Sequence, residues 1–253
     1  MSNACWHSPP QLVQSSPDML IASATSSLSA LQKATATIPI VFAQVSDPVG
    51  AGFVRSLARP GGNITGFTQH EFSIGVKWLE LLKELMPQAE HAAIIYDPQN
   101  PATAGYLSAI KAGASPFRVQ VSEHPVNDRA EIERAFSVIA NKPNSGLVIL
   151  PGPAPSVQRD LVVTLASRHR LPAVYPFRYW VTGGGLAFYG VDNIDLHRSA
   201  TSYVDRILKG EKPADLPVQH ATKFELIINL KTAKALGINP PTSLLARTDT
   251  VIE

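Results

Sequence analysis

The feature that most constrains the fold is a regular alternation of short apolar runs with longer amphipathic segments. Ala92–Tyr96 and Gly146–Leu150 are continuously apolar, whereas Ser73–Met86 carries apolar side chains at helical spacing before Pro87. Strands without polar alternation are buried on both faces, and in α/β proteins helices cover those faces. The sequence therefore predicts an α/β fold with parallel sheets covered by helices.

The predicted elements are distributed unevenly along the chain. Residues 69–190 contain four or five βα units, enough for a complete C-terminal lobe, whereas residues 1–68 contain only two or three strands. Val49–Ala58 is predicted to be a helix within the first part. We expect residues 191–253 to join residues 1–68 in a partial N-terminal lobe and to supply hinge segments.

Composition excludes several classes of protein. Basic residues are scattered and the formal net charge is only +2, so no nucleic-acid partner is expected. Cys5 is the single cysteine, which rules out an internal disulfide and a cysteine-based metal cluster. The seven histidines lack metal-binding spacing, and no phosphate-binding, dinucleotide-binding, nucleophile-elbow or zinc-protease motif is present. We therefore expect no cofactor, no metal and no enzymatic activity.

The N-terminal residues show no export signal. Met1–Pro10 lacks a basic segment followed by an apolar one. No window of the sequence reaches the roughly 18 apolar residues of a membrane span. We expect no signal peptide within this chain.

Candidate binding residues follow from the place where open α/β sheets bind ligands, beyond the carboxyl ends of the strands. After the first predicted strand come Ser23, Thr25 and Ser26. Such hydroxyls either cap the next helix or, with its free N–H groups, hold an anion such as a carboxylate. Both interpretations remain open from the residues alone.

The loop after the second predicted strand is also polar. It contains Gln44, Ser46 and Asp47. Ser46 and Asp47 are suited to cap a helix, and Asp47 is equally suited to pair with the amino group of a ligand.

Later strand ends add a more aromatic set. Tyr96 and Asn100 are candidates to stack on and hydrogen-bond a ligand, with Asp97 beside them, while Pro151 begins a rigid proline-rich wall. Tyr175 belongs to an aromatic cluster, a pattern typical of a core as well as of a ligand platform.

Several long stretches resemble the ABC transporter substrate-binding protein family of the tryptophan/tyrosine-binding type. They are Thr37–Gly50, Ser56–Gly66, Arg168–Phe177, Arg206–Val218 and Lys223–Gly237. The resemblance extends over nearly the whole chain from Asp18 to Glu253.

This resemblance implies the periplasmic-binding-protein type I fold, with two Rossmann-like lobes joined by three crossovers. It implies a solute-binding component of an ABC importer, which traps a small organic solute, such as an amino acid or aromatic compound, by hinge closure between the lobes. The implied partners are permease and ATPase subunits, and the implied location is periplasmic or otherwise extracytoplasmic. The implied ligand-binding residues are Ser23, Thr25, Ser26, Gln44, Ser46, Asp47, Tyr96, Asp97, Asn100, Pro151, Tyr175 and Tyr189.

The chain departs from the family pattern at its beginning. It starts close to the family's third strand, which predicts an incomplete N-terminal lobe and a dimer that covers it. Two alternatives stay open at this point: a ligand-sensing regulatory domain, and a truncated remnant of such a receptor that no longer functions.

Overall fold

A computed structural model describes residues 8–69 and 71–253; the prediction concerning Cys5 lies outside them. Its helices are α1 (Pro9–Gln14), α2 (Thr25–Ala34), α3 (Ile74–Leu85), α4 (Thr103–Gly113), α5 (Arg129–Ala140), α6 (Pro153–Val157), α7 (Arg159–Arg168), α8 (Arg178–Thr182), α9 (Asn193–Leu208), α10 (Leu230–Leu236) and α11 (Thr242–Leu245). Its strands are β1 (Leu20–Ser23), β2 (Ile40–Val45), β3 (Ile64–Thr68), β4 (His91–Tyr96), β5 (Gln120–Pro125), β6 (Ser145–Ile149), β7 (Ala173–Tyr175), β8 (Ala187–Val191), β9 (Gln219–His220), β10 (Phe224–Asn229) and β11 (Thr250–Ile252).

The described chain forms two compact units, each with its own sheet. The first comprises the residues up to Glu71 together with Val191–Lys223. The second comprises Phe72–Gly190 together with Phe224–Glu253. The predicted α/β class with parallel sheets is confirmed, because every strand pairing in the first sheet is parallel and so are the pairings among β4 to β8.

The assignment of residues 224–253 to the first lobe was wrong. β10 and β11 lie in the second sheet, whose order is β11-β10-β8-β7-β6-β4-β5. The reason is the apolar run Leu226–Ile228, which is buried in the two cores of the second unit. Backbone hydrogen bonding fixes the same placement, because the amide of Asn229 donates to the carbonyl of Leu186 (2.9 Å).

The first unit is a parallel sheet of order β1-β2-β3-β9 between two helices. Because side chains alternate along a strand, neighbouring residues of β1 and β2 face opposite helices. One face packs on α2 and comprises Leu20, Ala22, Ile40 and Phe42 with Leu28 and Leu31. The other face packs on α9 and comprises Val41 and Ala43 with Leu196, Ala200 and Tyr203.

The second unit has a seven-stranded sheet with one core on each face. Trp78 is the largest side chain of the core beneath α3 and is 1% exposed. Its ring lies 5.6 Å from that of Tyr106, and its Nε1–H donates to the carbonyl of Tyr189 (2.8 Å). Trp180, fully buried, occupies the opposite core. No helix of the described residues is long and apolar enough to cross a membrane.

The predicted helix Val49–Ala58 does not form. The segment is a series of turns in which the amides of Phe53 and Val54 both donate to the carbonyl of Pro48. Gly52 adopts a φ of +72°, a left-handed conformation that interrupts a right-handed helix. Burial of Phe53 and Val54 in the first core explains the apolar spacing that suggested a helix.

Asp192 gives the first unit a pH-dependent contribution to stability. Its carboxylate accepts the amides of Ile194 (3.1 Å) and Asp195 (3.2 Å) at the start of α9, and it pairs with Lys223 Nζ (2.8 Å). The hydrogen bond from Lys223 is the main cause that lowers the pKa of Asp192 below its ordinary 3.8. A depressed folded-state pKa stabilises the fold above the unfolded value, and the stabilisation is lost as pH falls through the folded value.

Replacing Asp192 with asparagine is expected to flatten the acid limb of the stability profile below about pH 4, because asparagine caps a helix as well as aspartate but does not titrate. The measurement is urea unfolding between pH 7 and pH 3, with Asp205→Asn, an exposed aspartate of the same helix, as the control. An unchanged acid limb in Asp192→Asn would show that other carboxylates govern acid stability.

Candidate functional site

The carboxyl edge of the first sheet begins with the turn from β1 into α2. Ser23 ends β1 and is exposed, and Ala24 follows it with a φ of +78°, a strained conformation for alanine. Thr25 is buried, and its Oγ1 accepts the amide of Ser46 (3.4 Å). The first and second strand-end loops are therefore linked, as their neighbouring parallel strands require.

The N-terminus of α2 carries no side-chain cap. The hydroxyl of Ser27 lies in hydrogen-bonding contact with the carbonyls of Ser23 and of Ala24 (2.9 Å), so its single hydrogen is directed backwards to one of them. The amides of the first helical turn therefore keep their hydrogen-bonding capacity, with the half-buried Ser26 beside them. Of the two interpretations left open by the sequence, capping is excluded for these hydroxyls.

A bulge in β2 sets the direction of Gln44. Pairing with β3 shifts register between Phe42 and Val45, and Gln44 lies there with a φ of +59°. Bulges re-aim side chains and recur beside functional sites. Here Gln44 Oε1 accepts the hydroxyl of Ser23 (2.8 Å), which brings together two residues that the sequence predicted separately.

His197 joins this pair from α9. Its Nε2 lies 3.4 Å from Ser23 Oγ, and its Nδ1–H donates to the carbonyl of Asn193 (2.7 Å). Sequence reasoning missed this residue, since 174 positions separate it from Ser23. The available signal was its place one turn into a helix whose apolar residues repeat at Leu196 and Ala200.

The loop after β2 is held by its own side chains. Asp47 is exposed with a φ of +43°, and its Oδ1 accepts the amide of Gly50 (2.8 Å), which closes a turn. Ser46 is buried beneath it. Ala24, Gln44 and Asp47 thus place three strained non-glycine backbones at one edge of one sheet, a pattern that often accompanies a binding site.

In the second unit, Tyr96 ends β4 and is half-buried. Its hydroxyl donates to Glu123 Oε2 (3.4 Å). Burial, and then the charge of Glu123, raises the pKa of Tyr96 above its ordinary 10.0. At neutral pH Tyr96 is therefore an uncharged ring with a hydroxyl donor at the edge of the second sheet.

Asp97 and Asn100 connect two loops by hydrogen bonds. Asp97 is 3% exposed, and its carboxylate accepts the amides of Gln99 (2.8 Å) and Ala154 (2.9 Å). Asn100 Nδ2–H donates to the carbonyl of Pro151 (2.7 Å). These hydrogen bonds tie the loop after β4 to the loop after β6, so the two polar side chains and Pro151 position the loops.

We expect Asp97→Asn to lower the free energy of unfolding by about 1–3 kcal/mol, because one of the two amides bound to this buried side chain would face an NH₂ group instead of an oxygen. Urea unfolding measures the change. Asp128→Asn is the matched control: Asp128 is an exposed helix cap that accepts the amide of Glu131 (2.9 Å), and asparagine caps equally well there. Equal effects at the two positions would contradict a stabilising role for the hydrogen bonds of Asp97.

Tyr175 and Tyr189 lie in different surroundings. Tyr175 is 1% exposed and stacks on Trp180 at 5.2 Å, and burial raises its pKa. Its side chain belongs to the core. Tyr189 is half-buried, stacks on Phe224 at 6.0 Å and lines a surface pocket of about 260 Å³ with residues of α3 and Arg247. The ring contacts of Tyr175 and Tyr189 are thus with Trp180 and Phe224, and not with the loop that follows Tyr96.

A family model for ABC transporter substrate binding proteins matches residues 6–252. The chain belongs to this family. The family consists of solute-binding proteins, not enzymes, of the periplasmic or extracellular kind. No group of three or more histidine, cysteine, aspartate or glutamate residues suited to a metal ion occurs within the described ranges.

Individual relatives agree with the family assignment. A tyrosine-binding protein of Clostridioides difficile (strain R20291) is 31% identical over 234 residues, which cover 90% of this chain and 65% of the relative's length. The crystal structure of an ABC domain from Streptococcus pneumonia in complex with L-Trp is 29% identical, with a TM-score of 0.88 over 96% of this chain and 84% of that one. A conserved domain protein from Vibrio cholerae is 31% identical, with a TM-score of 0.89 over 96% of this chain and 81% of that one. The periplasmic-binding-protein type I fold implied by the sequence is confirmed.

Proposed function

We propose that this chain is the solute-binding component of an ABC importer and that its solute is an aromatic amino acid. The family supports the class of function, and relatives that bind tyrosine or hold L-Trp support the ligand class. The observation that carries the proposal is an uncapped helix N-terminus next to a cluster of hydrogen-bond acceptors at one edge of the first sheet. An amino acid presents the complementary pair, a carboxylate and an ammonium.

The carboxylate is assigned to the start of α2. Free amides and the positive end of the helix dipole favour an anion there. Ser26 adds a hydroxyl donor on the first turn, and Thr25 fixes the turn through the amide of Ser46. The helix is ten residues long and has no acidic residue in its first turn, so no carboxylate of that turn competes for these donors.

The second unit carries an aromatic candidate of its own. Tyr96 offers a half-buried ring at a strand end, and aromatic rings favour offset or edge-to-face contact with one another. Asp97, Asn100 and Pro151 act indirectly, because their hydrogen bonds hold the loop that follows Tyr96.

The partners and the mode of action follow from this assignment. A permease and an ATPase are the expected partners, and the site of action is extracytoplasmic. Ligand-stabilised hinge closure stays a prediction, since a ligand shifts such an equilibrium only through unequal affinity for the two states.

Association of two copies through the first unit also stays a prediction. β1 is the terminal strand of the first sheet, and Ile21 on it is 59% exposed. Sedimentation equilibrium of the wild type and of Ile21→Lys tests it: we expect a dimer that the lysine weakens, and a monomeric wild type would contradict it.

A thermal-shift screen of the twenty L-amino acids tests the ligand class. At 100 times the dissociation constant, a ligand that binds only the folded state adds about 2.7 kcal/mol to its stability. For a chain of this size we expect tyrosine, tryptophan or phenylalanine to raise Tm by about 5–10 °C. A larger shift with an aliphatic or charged amino acid, or none with the aromatic ones, would contradict the proposal.

A further inference from the structure

The cluster of Ser23, Gln44 and His197 has a hydrogen-bond inventory that can be worked out from its neighbours. The carbonyl of Asn193 can only accept, so the Nδ1 atom of His197 carries the proton in that 2.7 Å contact. In the neutral imidazole the Nε2 atom is then an acceptor, and it faces the hydroxyl of Ser23 at 3.4 Å. Ser23 therefore stands between two acceptors, His197 Nε2 and Gln44 Oε1.

One hydroxyl hydrogen cannot satisfy both acceptors. Ser23 donates to Gln44 Oε1 at 2.8 Å, the shorter of the two contacts, which leaves His197 Nε2 without a donor from this hydroxyl. A further acceptor lies one turn earlier on the same face of α9. Asn193 Oδ1 is buried and has no hydrogen-bond partner among the described residues. Two acceptors on this face of α9, His197 Nε2 and Asn193 Oδ1, therefore lack a donor in the part of the chain that the structure describes.

We propose that His197 is a specificity-determining residue that, with Ser23 and Gln44, binds the α-ammonium group of the amino acid. This inference rests on the proposed function. An ammonium group offers three N–H donors and no acceptor, which matches the two acceptors that lack a donor. His197 Nε2 and Asn193 Oδ1 favour an ammonium over a carboxylate, whose oxygens could meet only the amide N–H groups of Gln44 and Asn193.

The test compares ligands that differ only at the amine or at the carboxylate. Calorimetric titration would use L-tyrosine, its desamino analogue 3-(4-hydroxyphenyl)propionate, and tyramine, which keeps the amine but lacks the carboxylate. The proteins are the wild type, His197→Phe, which keeps a ring but removes both nitrogens, and His197→Gln, which keeps an acceptor. His220→Phe replaces another histidine of the first unit, whose Nδ1 contacts Thr68 Oγ1 (3.1 Å), and serves as the control.

We expect His197→Phe to weaken tyrosine and tyramine by about tenfold to a hundredfold, the range for one charge-assisted hydrogen bond. The desamino analogue should bind wild type and variant equally. His197→Gln should recover most of the loss, and His220→Phe should change nothing. Gln44→Glu, which turns an amide into an acceptor-only carboxylate, should preserve or strengthen the preference for the amine.

The possible failures are distinguishable. If the wild type binds none of the three compounds, and neither L-tryptophan nor L-phenylalanine, the proposed function and this inference are both wrong. If tyrosine binds but His197→Phe weakens tyrosine and the desamino analogue equally, or neither, His197 does not recognise the ammonium and only this inference falls. Far-ultraviolet circular dichroism of each variant at the titration temperature confirms that the folded protein is compared.

Discussion

Gly66→Ala is expected to destabilise the protein by about 3–5 kcal/mol, the combined size of backbone strain and overpacking. Gly66 lies in β3 opposite Phe42 with a φ of +155°. An added Cβ would collide with the carbonyl oxygen of Phe42 and lie 2.6 Å from its nitrogen. Because both clashes are with backbone, no side-chain rotation relieves them.

The same substitution bears on the site. The collision occurs at Phe42, immediately before the bulge that directs Gln44. Gly62→Ala is the matched control, since that position is exposed, lacks a positive φ and has no atom within 4 Å of an added Cβ. Urea unfolding should show a change within about 0.5 kcal/mol for the control. A Gly66→Ala protein as stable as the control would contradict the close approach of β2 and β3.

Trp78→Ala should cost the second unit a similar amount, about 3–5 kcal/mol, because it removes a large side chain that is 1% exposed in a close-packed core. The loss combines the transfer of the ring with the cavity left behind beside Tyr106. It also removes the indole donor to the carbonyl of Tyr189.

Trp78→Phe separates these contributions. Phenylalanine keeps much of the buried area but not the N–H group, so we expect a cost of about 1–3 kcal/mol, clearly below that of alanine. Urea unfolding followed by circular dichroism measures both variants. Equal costs for alanine and phenylalanine would assign the effect to the hydrogen bond, and a cost below about 1 kcal/mol for alanine would contradict the packing.

The periodic elements were predictable from sequence because their burial is periodic. The helical spacing in Ser73–Met86 corresponds to α3, Ile74–Leu85, since Trp78, Leu82 and Leu85 repeat on its buried face. The helix predicted at Val49–Ala58 was wrong because glycine conformation and local turns outweigh apolar spacing over so short a stretch. The assignment of residues 224–253 to the first lobe was wrong because the hydrophobic pattern alone does not specify which sheet a buried strand joins.

The candidate site was only partly predictable, for a related reason. Strand ends and their polar loops can be read from the chain, and they include Ser23 and Gln44, which the structure places in hydrogen-bond contact. Whether a polar side chain faces a ligand or its own backbone depends on tertiary contacts. The carboxylate of Asp97, for example, accepts the amide of Ala154, which lies far along the chain. His197 reaches the site only because α9 packs against the first sheet.

The most direct test of the central claim is isothermal titration calorimetry of this chain with L-tyrosine and L-tryptophan. We expect saturable 1:1 binding of at least one of them, with a dissociation constant in the micromolar range or tighter, about −8 kcal/mol, and a negative heat-capacity change from burial of the ring. The claim would be contradicted if neither amino acid bound saturably at millimolar concentration, a binding free energy of about −4 kcal/mol, to protein shown to be folded under the conditions of the titration.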